Sequence, residues 1–287
     1  MSHKRMFIAM VTPFHADGSL DAEGAQALAA YLIENQACEG LVLNGTTGEA
    51  PTTTDEEKET LIRAVAEAVG DRVPIIAGAG SYDTRHAVEL ARTAEKAGAD
   101  GLLAVTPYYS RPTQEGVRQH FTTLADATGL PVTLYDIPRR TGTALTADTL
   151  LRLAEHPHIT GVKDAAYDLV KSAGILAATG LRYYSGADEL NLPLAAIGAT
   201  GVISTIGHVA GATTKAMLDA HHDGDPREAT RLHLRLAPVV SAMMTRAPGA
   251  VTAKALLNDR GLPAGPVRLP LVPADTDLLN DLRRACE

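Results

Sequence analysis

The stretch VPIIAGAGSYDTRHAVELARTAEKAGADGLLAV, residues 73–105, contains the pattern that decides the fold. It begins with the apolar run Val73–Ala77 and ends with a second one, Gly101–Val105. Between them, Thr84–Ala97 carries apolar residues at helical spacing. Short, uncharged runs rich in Val, Ile and Leu are typical of parallel strands that are buried on both faces. The stretch therefore predicts a strand, a helix and a second, parallel strand.

The same unit recurs along the whole chain. Further strand candidates occur at Phe7–Val11, Gly40–Leu43, Val132–Tyr135, Ile159–Val162, Leu181–Tyr184 and Gly201–Ser204. Helical spacing recurs at Asp21–Ile33, Asp55–Val69, Gln114–Ala127 and Ala147–Glu155. Eight such units at intervals of roughly 20 to 35 residues predict an α/β fold of the (β/α)8 TIM barrel type. A doubly wound sheet is the alternative.

The chain continues beyond the eighth unit. Helical periodicity returns at Arg227–Met244, Ala250–Leu257 and Thr276–Ala285. No linker rich in Gly, Ser or Pro separates this part from the rest. We therefore expect a barrel over residues 1–222, with a C-terminal helical extension over residues 223–287 that packs on it in the same structural unit.

Composition narrows the class of protein and its partners. The 287 residues are 45% hydrophobic and carry a formal net charge of -8, which argues against disorder and against nucleic acid as a partner. No apolar run is long enough to cross a membrane, so no membrane contact is predicted. The two cysteines, Cys38 and Cys286, are too few for a disulfide framework and favour a cytoplasmic location.

The most informative single residue is Lys163, within Ile159-Thr160-Gly161-Val162-Lys163-Asp164-Ala165. A cation at the end of an apolar strand is either paired or functional, because an unpaired buried charge is costly. Desolvation lowers the pKa of a lysine from about 10.4, and the neutral amine can form a Schiff base with a carbonyl compound. The neighbouring Asp164 is a poor partner because adjacent strand residues point to opposite faces.

Other strand ends carry unusual polar residues. The loop Asn44–Glu49 places Thr46 and Thr47 between glycines, so its hydroxyl and N–H groups could hold a small carboxylate, although an ordinary turn is the alternative. Tyr109 follows one strand candidate and Tyr135 ends another, and each serves either proton transfer or packing. Arg140 is a candidate carboxylate clamp or a surface ion-pair member.

The histidine pairs near residues 156 and 221 lack a third ligand at useful spacing, so no metal site is predicted.

Together these motifs resemble the class I pyruvate-dependent aldolases typified by dihydrodipicolinate synthase and N-acetylneuraminate lyase. The resemblance covers nearly the whole chain and rests on the order of its motifs: Val11-Thr12-Pro13-Phe14, Gly45–Glu49, Thr106-Pro107-Tyr108-Tyr109, Tyr135-Asp136-Ile137-Pro138, Gly161–Ala165, Tyr184-Ser185-Gly186 and Gly201–Ser204. Thr46-Thr47 and Arg140 are similar to the synthase branch. The resemblance implies a lyase that condenses pyruvate with aspartate β-semialdehyde to give 4-hydroxy-tetrahydrodipicolinate in lysine and diaminopimelate biosynthesis.

The resemblance also implies roles for individual residues. Lys163 would form the imine with pyruvate, and Tyr135, Thr46 and Tyr109 would form a hydroxyl relay for protons. Tyr109 would come from a neighbouring subunit, which implies a homo-oligomer, commonly a tetramer built from dimers. Since the protonated imine is the electron sink, no metal or organic cofactor is expected.

The same resemblance implies four substrate-binding residues. Thr47 would hold the pyruvate carboxylate, and Gly186 and the backbone of Ile203 would line its pocket. Arg140 would hold the carboxylate of the semialdehyde.

Some positions depart from the usual synthase pattern. Ala50 stands in place of Ser, Tyr82 in place of Asn, and Ala187 in place of an acid, while Arg139 adds a second cation beside Arg140. A paralogous aldolase or lyase that uses another aldehyde is therefore the main alternative. A non-catalytic barrel that binds a keto acid is a second alternative, against which the retention of Lys163 and Tyr135 argues.

The resemblance further bears on feedback inhibition. In lysine-sensitive relatives, the effector lies at the dimer interface beside the residue equivalent to Tyr108, held partly by an Asn, a Glu and histidines. This chain has Tyr82 for the Asn, His86 for the Glu, and Asp55 and Lys58 where those histidines would stand. We therefore expect little inhibition by lysine.

Overall fold

The computed structural model describes residues 4–287, which form a closed barrel of eight parallel strands. Each strand pairs with the next along the chain, and the last strand pairs with the first through Phe7 and Ile203. This closure confirms the TIM barrel and rules out the doubly wound sheet. The strands are β1 (Met6–Ala9), β2 (Gly40–Leu43), β3 (Ile75–Gly78), β4 (Gly101–Val105), β5 (Val132–Asp136), β6 (Ile159–Asp164), β7 (Arg182–Ser185) and β8 (Gly201–Ser204).

Helices follow the strands and form the outer layer. They are α1 (Ala22–Asn35), α2 (Asp55–Val69), α3 (Thr84–Ala97), α4 (Gln114–Ala125), α5 (Pro138–Thr141), α6 (Ala147–Leu153), α7 (Leu169–Ala178), α8 (Asn191–Ala196), α9 (Gly207–His222), α10 (Pro226–Thr245), α11 (Gly249–Asp259) and α12 (Thr276–Cys286). None of the helices within residues 4–287 is long and apolar enough to cross a membrane.

Local signals account for the helix starts. The Thr54 hydroxyl accepts from the N–H of Glu57, whose carboxylate accepts from the N–H of Thr54, so a complete capping box begins α2. At α3, the Asp83 carboxylate caps the helix by accepting from the N–H of Arg85. The predicted bounds of both helices, Asp55–Val69 and Thr84–Ala97, are therefore confirmed.

Several predicted strand bounds are wrong by a few residues. The third strand starts at Ile75 instead of Val73, because the N–H of Val73 still donates to the carbonyl of Val69 at the end of α2. The sixth strand continues past Val162 to Asp164, because its ladder with β5 extends to the pair Asp136 and Asp164. Lys163 consequently lies within a strand, one residue before its end.

Two apolar layers hold the barrel together. Most buried side chains lie between the strands and the surrounding helices. The barrel interior is filled by a smaller cluster: Phe7, Ala9, Val42, Leu103, Tyr135, Ala165, Tyr184, Ala187 and Ile203. Because the interior is packed, a ligand site belongs at the mouth formed by the carboxyl ends of the strands.

The C-terminal helices occur where their periodicity predicted them. The residue 222 boundary falls at the end of α9, and α10 packs against α9. The segment after α11 returns to the barrel, where Arg268 donates to the carbonyl of Gly18 and pairs with Glu57. The extension thus reaches the loops around the strand ends.

Candidate active site

Lys163 lies at the centre of the barrel mouth. The strand register places it between Tyr135 on β5 and Tyr184 on β7. Its side chain is only 6% exposed, and Nζ lies 4.3 Å from the centre of the Tyr135 ring. A lysine is therefore held against an aromatic face inside the barrel, with little access to water.

This burial changes the acidity of Lys163. Desolvation lowers its pKa to about 8, with Asp188 opposing and the charge of Arg140 adding to the decrease. At pH 7, a pKa of about 8 leaves roughly a tenth of the amine neutral, far more than for an exposed lysine. The site therefore provides a nucleophilic amine at neutral pH.

The expectation for Asp164 is confirmed. Its carboxylate accepts from the Ser172 hydroxyl and, at 2.8 Å, from the N–H of Ala166. Both contacts lie on the face of β6 that packs against the helices, opposite Lys163. Lys163 is consequently not neutralised by the acid next to it in sequence.

Tyr135 supplies a protonated phenol beside Lys163. Burial raises the pKa of Tyr135 to about 12, although Arg140 and a hydrogen bond with Thr46 act in the opposite direction. The phenol therefore keeps its proton at neutral pH and can donate it or pass it on. Thr46 is close enough to Tyr135 to share a proton path with it.

The loop after β2 forms one wall of the site. The hydroxyls of Thr47 and Thr205 are 3.1 Å apart, and the Thr12 hydroxyl donates to the carbonyl of Gly48 over 2.6 Å. Within residues 4–287, the N–H groups of Thr47 and Gly48 donate to no protein acceptor. A hydroxyl and adjacent free N–H groups form an arrangement suited to a small carboxylate.

Gly186 and Ile203, both expected at the pyruvate pocket, differ in their position relative to the cavity around Lys163. A Cβ atom on Gly186 would lie 2.9 Å from Cγ of Lys163, so only glycine fits beside the lysine without displacement. Gly186 lines the cavity around Lys163. The side chain of Ile203 instead packs in the barrel interior, and Thr205 rather than Ile203 lines the cavity.

Two adjoining cavities open at the mouth. The lysine cavity, which contains Lys163, has a volume of about 490 Å³, and the tyrosine cavity, which contains Tyr108 and Tyr109, about 590 Å³. Both volumes suit small-molecule ligands. Arg140 lines both cavities, together with Thr46 and Tyr135.

Tyr109 stands apart from the other predicted catalytic residues. Its side chain is 93% exposed, its φ is +67°, and it lines the tyrosine cavity but not the lysine cavity. A bulky residue with positive φ and an exposed ring is unusual. Within one chain, therefore, Tyr109 does not reach Lys163.

Sequence reasoning missed Asp188, which organises the wall next to the Thr47 loop. This buried carboxylate accepts from the Ser204 hydroxyl at 2.6 Å and from the N–H groups of Thr205 and Ile206 at 2.9 and 3.1 Å. It thereby holds Thr205 in place and contributes negative charge near Lys163. Its position three residues after the end of β7 was the available signal, because polar residues just past the strand ends face the barrel mouth.

A second missed feature is the buried ion pair between Glu49 and Lys254. Nζ of Lys254 on α11 lies 2.7 Å from Oε1 of Glu49, and both side chains are almost completely buried. The other carboxylate oxygen of Glu49 accepts from the N–H of Arg268 at 2.8 Å. Glu49 has a φ of +56°, so the pair holds the end of the Thr46–Thr47 loop in a backbone conformation that costs energy.

We expect Lys254→Met to destabilise the protein strongly. Removing one partner leaves the Glu49 carboxylate buried without its counter-ion, which costs about 3–5 kcal/mol. For a chain of this size, such a loss lowers Tm by about 6 °C or more. The measurement is thermal unfolding of the purified variant.

A double variant and an exposed pair provide the controls. Lys254→Met combined with Glu49→Gln should recover part of the lost Tm, because the unpaired charge is gone. Arg231→Met breaks the exposed pair with Glu228 and should leave Tm nearly unchanged. Equal Tm values for Lys254→Met and Arg231→Met would contradict the structural role of the buried pair.

The histidines contribute to packing. Nε2 of His156 lies 3.0 Å from an Asp126 oxygen, and Nδ1 of His158 lies 3.0 Å from the Ala125 carbonyl oxygen. Both side chains are partly buried. Across residues 4–287, no three His, Cys, Asp or Glu side chains cluster closely enough to hold a metal ion.

Comparison with known proteins agrees with this geometry. Residues 2–287 match the dihydrodipicolinate synthetase family. The chain is 58% identical over 274 residues to 4-hydroxy-tetrahydrodipicolinate synthase 1 of Streptomyces coelicolor, covering 95% of this chain and 90% of that protein. The corresponding enzyme of Acidothermus cellulolyticus is 56% identical over 279 residues, covering 97% and 90%.

Solved structures of similar proteins have the same fold. A dihydrodipicolinate synthase from Bacillus anthracis superimposes with a TM-score of 0.96 at 38% identity, covering 100% of this chain and 98% of that one. An enzyme from Cyanidioschyzon merolae, solved with lysine bound, gives a TM-score of 0.95 at 40% identity, covering 98% and 96%.

Proposed function

The chain belongs to the dihydrodipicolinate synthetase family, and on that premise we propose that it condenses pyruvate with aspartate β-semialdehyde to give 4-hydroxy-tetrahydrodipicolinate. It is then a lyase of lysine and diaminopimelate biosynthesis. The observation that carries this proposal is Lys163, a desolvated amine beneath Tyr135 in a cavity that also contains Arg140.

The reaction begins at Nζ of Lys163. The amine attacks the ketone carbon of pyruvate, and loss of water leaves a protonated imine. The imine withdraws electrons from the pyruvate methyl group, which loses a proton to give an enamine. The enamine carbon then bonds to the aldehyde carbon of the semialdehyde. Finally, the amine of the semialdehyde attacks the imine carbon, which closes the ring and releases Lys163.

Hydroxyl groups near the imine carry out the proton transfers. Tyr135 is nearest Lys163, and Thr46 is the neighbour of Tyr135 in the relay. The N–H groups and hydroxyl of the Thr47 loop bind the pyruvate carboxylate, beside Gly186 and Thr205. Arg140 binds the carboxylate of the semialdehyde.

The relay is completed by Tyr109 of a second subunit. The exposure of Tyr109 supports this assignment, because a ring that is 93% exposed in one chain can enter the site of another. We therefore propose a homo-oligomer, a tetramer built from dimers. A cytoplasmic location is part of the same proposal and rests on the unpaired Cys38 and Cys286.

A comparison of aldehyde acceptors tests the proposed function. With pyruvate held constant, kcat/KM is measured for aspartate β-semialdehyde and for aldehydes of similar size that lack its carboxylate. We expect aspartate β-semialdehyde to give the highest value. A higher value for another aldehyde would indicate a paralogous aldolase, and absence of both turnover and imine formation would indicate a binding protein.

We expect free lysine to inhibit the enzyme only weakly. Where relatives hold an effector, this chain has an internal polar chain: Nε2 of His86 lies 2.8 Å from Asp55, and Nζ of Lys58 lies 3.7 Å from Asp55. Tyr82 also packs edge-on against Tyr108, with ring centres 5.5 Å apart. These groups line the tyrosine cavity, and Lys58 adds a cation that would repel a lysine ammonium group there.

The measurement is activity against free lysine at saturating pyruvate. Half-inhibition should require well above 1 mM lysine. The same measurement is made on Tyr82→Asn, which removes the bulky ring. This variant should not by itself be strongly inhibited by lysine, because Lys58 remains. Half-inhibition of the unmodified enzyme below 1 mM would contradict the prediction.

A further inference from the structure

Tyr167 occupies an unusual position at the rim of the lysine cavity. It follows β6 by three residues, has a φ of +62°, and is partly exposed. A bulky side chain in the left-handed region is strained, and such strain occurs preferentially at ligand sites. The guanidinium carbon of Arg139 lies 3.8 Å from the centre of the Tyr167 ring, which holds the ring over the mouth.

The Tyr167 hydroxyl orients Glu189. It donates to Oε1 of Glu189 over 2.5 Å, and Glu189 lies on the turn after β7. Burial and then the contact with Glu189 raise the pKa of Tyr167, so the phenol stays protonated and remains a donor. Within residues 4–287, Glu189 takes part in no ion pair, so its second oxygen remains available.

Glu189 differs from the other carboxylate that lines the lysine cavity. Of the described residues that line the lysine cavity, Glu49 and Glu189 carry carboxylates. Glu49 is already paired with Lys254. Glu189 is therefore the cavity anion that can pair with a ligand cation, and it shares the cavity with Arg140.

We propose that Glu189, held by Tyr167, binds the α-ammonium group of the acceptor aldehyde and so selects amino aldehydes over aldehydes without that group. The inference rests on the proposed function and adds a specificity-determining residue to it. The acceptor carries a carboxylate and an ammonium group, and the cavity offers Arg140 for the first and Glu189 for the second. The ammonium group gives up its proton to water at the open cavity mouth, and the neutral amine then attacks the imine carbon in ring closure.

The experiment compares Glu189→Gln with the unmodified enzyme. Glutamine keeps the size of the side chain and its hydrogen bond to Tyr167 but removes the charge. We expect kcat/KM for aspartate β-semialdehyde to fall by about 10-fold to 100-fold, because a charged hydrogen bond to the ligand is lost. Succinate semialdehyde has the same aldehyde and carboxylate but no ammonium group, so its inhibition constant against aspartate β-semialdehyde should be unchanged.

Further variants separate specificity from a general effect on structure. Tyr167→Phe removes the donor that orients Glu189 and should lower kcat/KM for the amino aldehyde by a smaller factor, again without effect on succinate semialdehyde. Glu67→Gln removes an exposed acid on α2 and should change neither value. Borohydride trapping of pyruvate on Lys163 should proceed normally in all three variants, which verifies an intact barrel.

The outcomes distinguish the inference from the function on which it rests. Two results for Glu189→Gln would overturn ammonium recognition by Glu189 while the synthase function stands. One is a kcat/KM for aspartate β-semialdehyde within twofold of the unmodified enzyme. The other is an equal loss in kcat/KM for aspartate β-semialdehyde and in the affinity for succinate semialdehyde. If the unmodified enzyme traps pyruvate but does not use aspartate β-semialdehyde, the proposed function and the inference fail together.

Discussion

Lys163→Met should lower kcat by at least about 10,000-fold while leaving the barrel folded. Methionine fills a similar volume but has no amine, so no imine forms and the pyruvate methyl group has no electron sink. Removing the nucleophile of an enzyme with covalent catalysis commonly costs this much or more. Steady-state assay of the variant with pyruvate and aspartate β-semialdehyde measures the loss.

Chemical trapping tests the same residue in the unmodified enzyme. Borohydride added with pyruvate should inactivate the enzyme and leave a mass adduct on the peptide that contains Lys163. Because desolvation lowers the pKa of Lys163 to about 8, the neutral amine fraction increases as the pH rises toward 8 and changes little well above it. The initial rate of imine formation should follow this curve.

An exposed lysine provides the control. Lys96→Met changes a side chain on the outside of α3 and should affect neither turnover nor trapping. An adduct on another lysine, with Lys163 unmodified, would contradict the mechanism. A trapping rate that rises only near pH 10 would show that Lys163 behaves as an exposed amine.

Arg140→Ala should lower kcat/KM for aspartate β-semialdehyde by about 100-fold or more. Arginine can hold a carboxylate through two parallel hydrogen bonds, and losing that charged contact costs a few kcal/mol. Pyruvate should still form the imine, because Arg140 lies on α5 at the rim of the cavity and Lys163 is positioned by β6.

The loss of Arg140 should also alter the pH profile of trapping. The charge of Arg140 lowers the pKa of both Lys163 and Tyr135, so its removal should move imine formation toward higher pH. A simple loss of packing would not produce this change. The profile therefore separates an electrostatic role from a structural one.

The adjacent arginine is a matched control for Arg140. Arg139→Ala removes an equal charge from the same short helix but breaks mainly the contact with the Tyr167 ring. Its effect on kcat/KM should be smaller than that of Arg140→Ala. A normal kcat/KM for Arg140→Ala would exclude Arg140 as the carboxylate clamp and would favour another aldehyde as the acceptor.

Local sequence was sufficient for the elements of the fold and for Lys163. The capping box at Thr54 and the apolar spacing of Thr84–Ala97 act within one or two helical turns, so they could be located without knowledge of the rest of the chain. Lys163 was recognisable because a single cation ends an apolar run. The resemblance to a family then supplied the chemistry that goes with the lysine.

Contacts between distant segments could be known only from the tertiary structure. Closure of the barrel brings β1 beside β8, and it places Glu49 against Lys254 and Tyr167 against Glu189. Each of these residues looks like an ordinary surface or loop residue in sequence, because nothing in its own neighbourhood indicates its partner. Burial and charge at the mouth depend on which segments meet there, and only the folded chain decides that.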